Sequence, residues 1–403
     1  MEKIKWVTNE ITESNTYNLD VVSLEKLQKA RNFHKGFPQY KETPLINLSK
    51  LSQYLGVSNI YIKDESYRFG LNAFKVLGGS FAIVNYIASK IGCDVSELNY
   101  DMLTSEKLKN DLPKTTFFTA TDGNHGRGVA WAANKLGQKA VVYMPKGSSE
   151  ERLNNILKEG ATATIEDVNY DECVRMAAKN SKKIPNSVVI QDTAWKGYEE
   201  IPSWIMQGYG TLLLEASEQL LDYKCDRPTH VFVQAGVGSL AGTVQGYFAN
   251  LYPDNCPITI VVEAEKANCL YKSALAHDGK ARFVGGDMQT MMAGLACGEP
   301  NSISWEILKS KTACFVSCPD WVSALGMRIL GAPLKGDSQV ISGESGAVSM
   351  GLLYSIMKDS CLDELKKILK LDENSKILLI STEGDTDPHN YREIVWKGKF
   401  VDN

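Results

Sequence analysis

The stretch HVFVQAGVGSLAGTV, residues 230–244, decides the fold because it joins a buried strand directly to a helix. Its opening HVFVQ is nearly continuous in apolar character, which is typical of a strand covered on both faces of a parallel sheet. Gly236, Val237, Gly238 and Ser239 follow, and a helical pattern begins there. Glycines let backbone N–H groups turn toward a ligand, and the start of a helix attracts an anion, most often a phosphate. The stretch therefore predicts a parallel α/β protein with a phosphate-binding loop, unless the loop is a plain strand-to-helix turn.

The same alternation of strand and helix patterns extends through the rest of the chain, which favours parallel α/β sheets. The segment 85–198 holds a β-α series of its own, so we expect a small domain at 85–198 and a large domain made of 1–84 plus 199–403. A ligand cleft is expected between the two domains. Strands are predicted at 59–64, 115–120, 139–145, 161–167, 187–192, 229–236, 258–265 and 376–382. Helices are predicted at about 75–91, 125–136, 148–159, 170–180, 203–221, 239–251, 321–331, 344–357 and 362–370.

Length, net charge and the absence of long apolar runs argue against several classes of protein. The 403 residues are enough for two domains. A net charge of -4 argues against a nucleic-acid partner. No apolar run reaches the length of a membrane span, and MEKIKWVTNE lacks a signal core, so we expect a cytoplasmic protein without a membrane partner.

The nine cysteines are scattered through the chain, which predicts reduced thiols in a reducing compartment. Cys314 and Cys318 lack a nearby histidine or cysteine cluster, so no metal site is expected. Whether Cys269 pairs with Cys297 stays open.

A second candidate site is the polar turn in TATDGNHGRGVAWAANKLG, residues 119–137. Asp122, Gly123, Asn124 and His125 lie between a predicted strand and a predicted helix, where backbone donors can receive a carboxylate or another oxyanion. The structural alternative is that Asp122 is only the N-cap of the helix. His125 is expected to be oriented by packing, because five histidines in the chain leave little material for a catalytic triad.

A third candidate is Lys75, a single ammonium in the stretch RFGLNAFKVLGGSFAI, residues 68–83. A lysine in low-dielectric surroundings has a depressed pKa and becomes a nucleophile toward a carbonyl group. The pair Gly78-Gly79 would let the backbone approach a flat ring. Taken alone, such a lysine is more often a surface residue whose stem lies on apolar surface.

The glycine loop also allows a dinucleotide-binding interpretation. Gly236, Gly238 and Ala241 fit a relaxed dinucleotide fingerprint, and Glu263 ends the next strand where a ribose hydroxyl would bind. From this unit alone, an NAD-dependent dehydrogenase is a plausible alternative.

Together, an early lysine, an asparagine-containing turn and a later glycine loop resemble the fold type II (tryptophan synthase β-like) family of pyridoxal-phosphate enzymes. The resemblance implies two parallel-sheet α/β domains with the cofactor, pyridoxal 5'-phosphate, in the cleft between them. It implies that Lys75 binds the cofactor covalently, that Asn124 bonds the ring hydroxyl and that the loop 236–239 holds the phosphate. In LLISTEGDTDPH, residues 378–389, Ser381 is the match for the residue that bonds the pyridine nitrogen.

Longer blocks resemble the diaminopropionate ammonia-lyase family, namely QDTAWKGYEEIPSWIMQGY, MMAGLACGEPN and ISGESGAV. This implies α,β-elimination of D- and L-2,3-diaminopropionate to pyruvate and two ammonia by a homodimer. Asp122 would be the base toward the D-isomer and Lys75 the base toward the L-isomer. Asp192 would bind the distal ammonium, backbone groups of 123–125 the substrate carboxylate, and Glu344 would support the core or the ring.

Two further alternatives stay open beside the dehydrogenase. A serine or threonine dehydratase of the same fold would carry a serine where this chain has Asp122, which argues against it. A catalytically silent cofactor-binding protein would not need Lys75, Asp122 and Asp192 together.

Overall fold

The computed structural model describes residues 3–10, 18–111 and 113–401. The ends of the predicted large domain, its residues 11–17 and residue 112 of the small domain lie outside the described residues. The strands are β1 (Lys5–Thr8), β2 (Leu45–Asn47), β3 (Asn59–Asp64), β4 (Thr116–Ala120), β5 (Lys139–Met144), β6 (Thr162–Ile165), β7 (Ser187–Val189), β8 (His230–Gln234), β9 (Ile258–Ala264), β10 (Cys314–Cys318) and β11 (Lys376–Ser381).

Helices fill most of the segments between the strands. They are α1 (Leu24–Lys35), α2 (Ser49–Leu55), α3 (Val76–Ile91), α4 (Tyr100–Thr104), α5 (Glu106–Asp111), α6 (Asn124–Lys135), α7 (Glu150–Lys158), α8 (Tyr170–Ser181), α9 (Glu200–Asp222), α10 (Ser239–Leu251), α11 (Cys269–Leu275), α12 (Ser302–Lys311), α13 (Asp320–Gly331), α14 (Val348–Lys358), α15 (Asp363–Ile368) and α16 (Pro388–Val395).

The strands form two separate sheets. A seven-stranded sheet has the order β1-β10-β9-β8-β11-β3-β2, and a four-stranded sheet has the order β6-β5-β4-β7. The small sheet is parallel throughout, whereas β1 and β2 run antiparallel to their neighbours at the two edges of the large sheet. The predicted α/β class with two parallel sheets is confirmed, and the antiparallel edge strands are an addition that the sequence patterns missed.

The large sheet is buried on both faces, which explains the continuous apolar character of its central strands. In β8, Val231 and Val233 enter one core cluster and Phe232 enters another on the opposite face. Successive side chains of a strand point to opposite faces, so both must be apolar where helices cover both. One face packs on α1, α9, α10 and α12, and the other packs on α2 and α13–α16.

The segments that carry chemistry leave the carboxyl ends of parallel strands in both sheets. The turn at Asp122 follows β4 and Asp192 lies three residues beyond β7 in the small sheet. The glycine loop follows β8 and residues 382–383 follow β11 in the large sheet. Ligands of open α/β sheets bind at the carboxyl ends of the strands, so the topology directs these segments toward one site.

Candidate active site

A pocket lies where these segments meet. Gly123 and Ser381 do not contribute to its lining. The other predicted site residues line it together: Lys75, Asp122, Asn124, His125, Asp192, Gly236, Val237, Gly238 and Ser239.

Lys75 lies immediately before the first residue of α3 and directly follows the segment 65–74. That segment contains two non-glycine residues in the left-handed region, Phe69 at φ 51° and Asn72 at φ 60°. Backbone bonds attach it to the end of β11, since the N–H of Phe74 donates to the carbonyl of Thr382 at 3.1 Å. The tertiary fold, and not local propensity, therefore fixes the position of the Lys75 backbone.

The Lys75 ammonium forms a short ion pair with Asp192, with 2.5 Å between Nζ and Oδ2. Burial lowers the pKa of Lys75, but the Asp192 charge outweighs it and the pKa is raised above its ordinary value. Burial also works against ionisation of Asp192, yet Lys75 lowers the pKa of that carboxyl to about 2. The prediction of a depressed lysine pKa is therefore wrong in this structure, because an opposite charge in contact outweighs desolvation.

The glycine pair after Lys75 has a different role from the one predicted. Gly78 and Gly79 lie inside α3 and do not line the pocket. A Cβ on Gly78 would lie 2.6 Å from side-chain atoms of Ile205 and Tyr209, and one on Gly79 would lie 3.2 Å from Val129. These glycines let α3 approach α9 and α6 closely, so they serve helix packing and not contact with a flat ring.

Asp192 also connects the small sheet to the glycine loop. Its carbonyl oxygen accepts hydrogen bonds from Ser239 Oγ at 2.5 Å and from Asn301 Nδ2 at 2.8 Å. Its carboxylate additionally accepts a long bond of 3.4 Å from the hydroxyl of Tyr170. The Ser239 hydroxyl is thus committed to the Asp192 carbonyl.

The glycine loop has the shape of an anion cradle. Gly238 precedes α10 at φ +99°, and no side chain caps that helix. A Cβ on Gly236 would lie 3.1 Å from both Cys297 Sγ and the Gly294 carbonyl. The first N–H groups of an uncapped helix lack partners within the helix, so this loop can bind a phosphate.

The polar turn after β4 places Asp122 in the pocket without using it as a helix cap. Gly123 occupies the N-cap position of α6, at φ +153°, and no side chain caps the helix. Asp122 Oδ2 is buried and accepts no hydrogen bond from the residues that the structure describes, and Arg152 Nη1 lies 3.5 Å away. The N-cap alternative is therefore excluded, and a carboxylate with spare acceptor capacity faces the pocket.

His125 is buried beside the same turn. Its Nε2 bonds the carbonyl of Ile190 at 2.9 Å, and Nδ1 has no hydrogen-bond partner among the described residues. Burial lowers the pKa of the imidazole, and the Lys75 charge lowers it further against the opposing effect of Asp192. A neutral ring fixed on a backbone carbonyl agrees with orientation by packing.

The segment after β11 brings residues into the pocket that the sequence patterns missed. Glu383 accepts hydrogen bonds from Asn124 Nδ2 and, at 2.9 Å, from the N–H of Ser345. Thr382 Oγ1 accepts from Gln234 Nε2 at 2.9 Å. All five of these residues line the pocket.

Ser381, the match made from sequence, lies just outside this group. Its hydroxyl donates to Ser342 Oγ at 2.8 Å, and its side chain is buried behind the pocket wall. Alternation along the strand could have indicated this, because Ser381 and Thr382 point to opposite sides.

Two glutamates considered from sequence have structural contacts outside the pocket. Glu263 accepts the N–H groups of Leu270 at 2.8 Å and Tyr271 at 2.6 Å, which satisfies the start of α11. It is therefore not free to bind a ribose, and the dinucleotide interpretation of this unit is wrong. Glu344 accepts a bond of 2.5 Å from Asn390 Nδ2 and does not line the pocket, which agrees with support of the core.

The thiols remain reduced in the structure. Cys269 and Cys297 are both free and buried, so they do not form a disulfide. Cys314 and Cys318 lie on one buried strand and are also free. Within 3–10, 18–111 and 113–401, no group of three histidine, cysteine, aspartate or glutamate side chains is arranged to hold a metal ion. No helix in the same ranges is long and apolar enough to cross a membrane.

A lysine before a helix, an asparagine turn and an uncapped glycine loop meeting between two α/β sheets define a pyridoxal-phosphate enzyme of fold type II. The family model for pyridoxal-phosphate dependent enzymes matches residues 37–383, and the chain belongs to that family.

Two relatives and one solved structure are similar to this chain over nearly its whole length. A diaminopropionate ammonia-lyase of Salmonella typhimurium is 55% identical over 368 residues, which cover 91% of each chain. One from Escherichia coli strain K12 is 49% identical over 400 residues, covering 99% of this chain and 98% of the relative. The crystal structure of diaminopropionate ammonia lyase from Escherichia coli, in complex with an aminoacrylate-PLP azomethine reaction intermediate, superposes with a TM-score of 0.90. It is 46% identical and covers 99% of this chain and 98% of that one.

Proposed function

We propose that this protein eliminates ammonia from D- and L-2,3-diaminopropionate and releases pyruvate and a second ammonia. The observation that carries the proposal is Asp122, whose carboxylate lines the same pocket as Lys75 and has an oxygen to which none of the described residues donates a hydrogen bond. Relatives of 49–55% identity over nearly the whole chain are diaminopropionate ammonia-lyases. The aminoacrylate in the related crystal structure supports an elimination.

The residues present fit pyridoxal phosphate. Lys75 would hold the aldehyde carbon, the N–H groups of 236–239 the phosphate, and Asn124 the ring hydroxyl. For the ring nitrogen we propose Thr382 in preference to Ser381, because Thr382 lines the pocket and Ser381 does not. When bound, the cofactor supplies a conjugated ring that draws electrons from the substrate's α carbon and makes its proton acidic.

The proton is then moved by side chains of this chain. The Asp122 carboxylate would accept the α proton of the D-isomer, and Lys75 Nζ, in its neutral form, that of the L-isomer. An amide anion is not a viable leaving group, so the β nitrogen must leave protonated. A carboxylate such as Asp122 can keep that nitrogen in its ammonium form, which a serine hydroxyl does poorly.

Asp192 would bind the distal ammonium of the substrate. In the structure its carboxylate is engaged by the Lys75 ammonium. When Lys75 gives up its proton to act as a base, the buried Asp192 carboxylate would need another cation to compensate its charge. The substrate's ammonium would supply it.

The testing experiment measures pyruvate release from both diaminopropionate isomers and from D- and L-serine, with wild type and with Asp122→Asn. We expect fast turnover of both diaminopropionate isomers by wild type, with serine slow. Asp122→Asn should lose about 10²- to 10⁴-fold on the D-isomer, the range for a general base, and far less on the L-isomer. Dominant turnover of serine or threonine would instead indicate a dehydratase and would reject the role given to Asp122.

We also propose the division into a small domain, 85–198, and a large domain, 1–84 plus 199–403, in a cytoplasmic homodimer. All strands of the small sheet fall within 85–198 and all strands of the large sheet fall outside it. Nine free thiols suit a reducing compartment. Family resemblance supports the dimer, and sedimentation equilibrium at several protein concentrations tests it.

A further inference from the structure

Arg152 is a buried cation behind the pocket that the proposed mechanism does not use. It lies in the first turn of α7, its side chain is 7% exposed, and it does not line the pocket. Its Nη1 lies 3.5 Å from Asp122 Oδ2, and its Nη2 lies 3.6 Å from Glu344 Oε2. Its Nε has no hydrogen-bond partner among the described residues. Arg152 therefore stands between two carboxylates.

The stem of Arg152 also packs against the turn that carries Asp122. A Cβ on Gly123 would lie 3.0 Å from Arg152 Cδ and 3.3 Å from its Cβ and Cγ. Gly123 thus leaves the space that the arginine stem fills. The stem limits the freedom of the turn, and the guanidinium limits the freedom of the Asp122 carboxylate.

The charges around Arg152 explain why it stays ionised in a buried position. Burial lowers its pKa, but Glu344, Glu383, Asp122 and Asp387, in that order, raise it above the ordinary value. A buried charge is tolerated when opposite charges compensate it. The relation is mutual, since Asp122 Oδ2 is buried, accepts no hydrogen bond within the described part of the chain and lies 3.5 Å from this guanidinium.

Arg152 connects the two sheets. Helix α7 follows β5 of the small sheet, whereas Glu344 lies in the segment before α14, a helix that packs on the large sheet, and is fixed by Asn390 Nδ2. The guanidinium is thus held from the large-sheet side while it contacts a carboxylate on the small-sheet side.

We infer that Arg152 is the positioning residue for Asp122, holding its carboxylate toward the pocket, with Glu344 fixing the guanidinium from the other side. This inference rests on the proposed function, in which Asp122 serves the D-isomer and Lys75 the L-isomer. It deepens that function, because it makes turnover of the D-isomer depend on an arginine that lies outside the pocket.

The test compares Arg152→Met and Arg152→Lys with wild type on D- and L-diaminopropionate, with cofactor content measured by absorbance. Arg152→Met should reduce kcat on the D-isomer at least about 30-fold while the L-isomer stays within about threefold, and Arg152→Lys should restore part of the D-activity. Arg127→Met is the matched control, because Arg127 lies on the neighbouring α6 and pairs with Glu159 instead. Equal losses on both isomers at full cofactor content would overturn the inference and indicate a general structural role.

A second measurement reads the contact without substrate. A double-mutant cycle compares the unfolding midpoints of wild type, Arg152→Met, Asp122→Asn and the double variant. The midpoint of the double variant should fall by less than the sum of the two single shifts. Additive shifts would overturn the inference whether or not the enzyme turns over diaminopropionate. If wild type turns over neither isomer but the cycle shows coupling, the proposed function fails and the positioning contact stands.

Discussion

Lys75 Nζ lies 2.5 Å from Asp192 Oδ2, so the amine that must become neutral to attack an aldehyde is held as an ammonium by a buried carboxylate. The pair raises the pKa of the lysine and lowers that of the aspartate to about 2, with burial acting against both charges. The pair therefore favours the ionised state of Lys75. An attack of Lys75 on an aldehyde requires that the amine first lose its proton.

Asp192→Asn should make Lys75 react with pyridoxal phosphate at lower pH. Without the carboxylate, burial is left as the main influence and lowers the pKa of the amine. The measurement is the rate at which the protein without cofactor attaches pyridoxal phosphate, across pH 6 to about 10, followed by borohydride trapping and mass analysis. Throughout this range the variant should react at least about tenfold faster than wild type, as expected for an amine whose pKa is lower by about one pH unit or more.

Asp122→Asn is the matched control, because Asp122 also lines the pocket but pairs with Arg152 and not with Lys75. Its profile should follow that of wild type. A profile of Asp192→Asn that coincides with both would mean that the ion pair does not control the reactivity of Lys75.

Gly238→Ala should weaken cofactor binding beyond its effect on stability. Gly238 has φ +99°. An alanine at this φ is strained by roughly 1–2 kcal/mol, or it changes φ and turns the loop N–H groups away from the phosphate. We expect the Kd for pyridoxal phosphate to rise about tenfold or more, equivalent to about 1.4 kcal/mol. Gly56→Ala is the control, because Gly56 has φ +73°, no atom within 4 Å of an added Cβ and a position at the end of α2.

Both variants should lose unfolding free energy in urea denaturation, Gly238→Ala the more because its added Cβ would lie 3.2 Å from Leu270 Cδ1. Gly56→Ala should nevertheless bind the cofactor as wild type does. Equal cofactor affinity in the two variants would show that the loop tolerates the change and would reject its role as a phosphate cradle.

Much of the fold and of the site is predictable where local pattern and local chemistry coincide. The glycine loop at 236–239 follows a continuous apolar strand, and the asparagine turn at 122–125 follows another. Each motif can therefore be recognised from about ten residues of sequence. By contrast β10, CFVSC, contains cysteine and serine in place of β-branched residues, and its burial comes from neighbours in the sheet. The short edge strands β1 and β2 carry too few residues for a periodic signal.

Relations between distant segments could not be predicted in the same way. Asp192 lies 117 residues from Lys75 in the chain, and the pairing that reverses the predicted pKa shift of Lys75 depends on how the two sheets meet. Gly78 and Gly79 are adjacent to a reactive lysine, which suggested a ligand contact, but helix packing uses them instead. Glu383 is brought to Asn124 across 259 residues and carries no local motif.

Glu215→Gln should destabilise the protein strongly because it breaks a buried ion cluster beneath the segment that carries Lys75. Glu215 Oε2 lies 2.8 Å from Lys63 Nζ and 2.7 Å from Arg68 Nη2, and all three side chains are fully buried. Removing one partner of such a cluster leaves uncompensated buried charge and costs about 3–5 kcal/mol. Urea denaturation of the protein without cofactor measures the loss.

An exposed pair offers the control for the cluster. Asp20 and Lys26 are 2.6 Å apart but are 71% and 38% exposed, so Asp20→Asn should cost less than about 1 kcal/mol. A loss of the same small size in Glu215→Gln would mean that the buried cluster contributes no more than a surface pair.

Glu263→Gln should change the pH dependence of stability. Burial raises the pKa of the Glu263 carboxyl to about 8, against the opposing effect of the N–H groups of Leu270 and Tyr271. Between its ordinary value of 4.5 and about 8, the folded state keeps a proton that the unfolded state has lost. The contribution of Glu263 to stability therefore falls as pH rises through this window, with a slope of up to about 1.4 kcal/mol per pH unit.

Glutamine cannot titrate, so the variant lacks this slope. At pH about 5 the variant should be less stable than wild type by about 1–2 kcal/mol, because its side chain offers one acceptor oxygen to two backbone N–H groups. By pH about 8.5 this difference should vanish or reverse, because the ionised, buried carboxylate then destabilises folded wild type. Both proteins are denatured with urea at the two pH values. The difference between their unfolding free energies at each pH removes the contribution of all other titrating groups. A constant difference would show that Glu263 is ionised throughout the window and that the two backbone donors of α11 outweigh its burial.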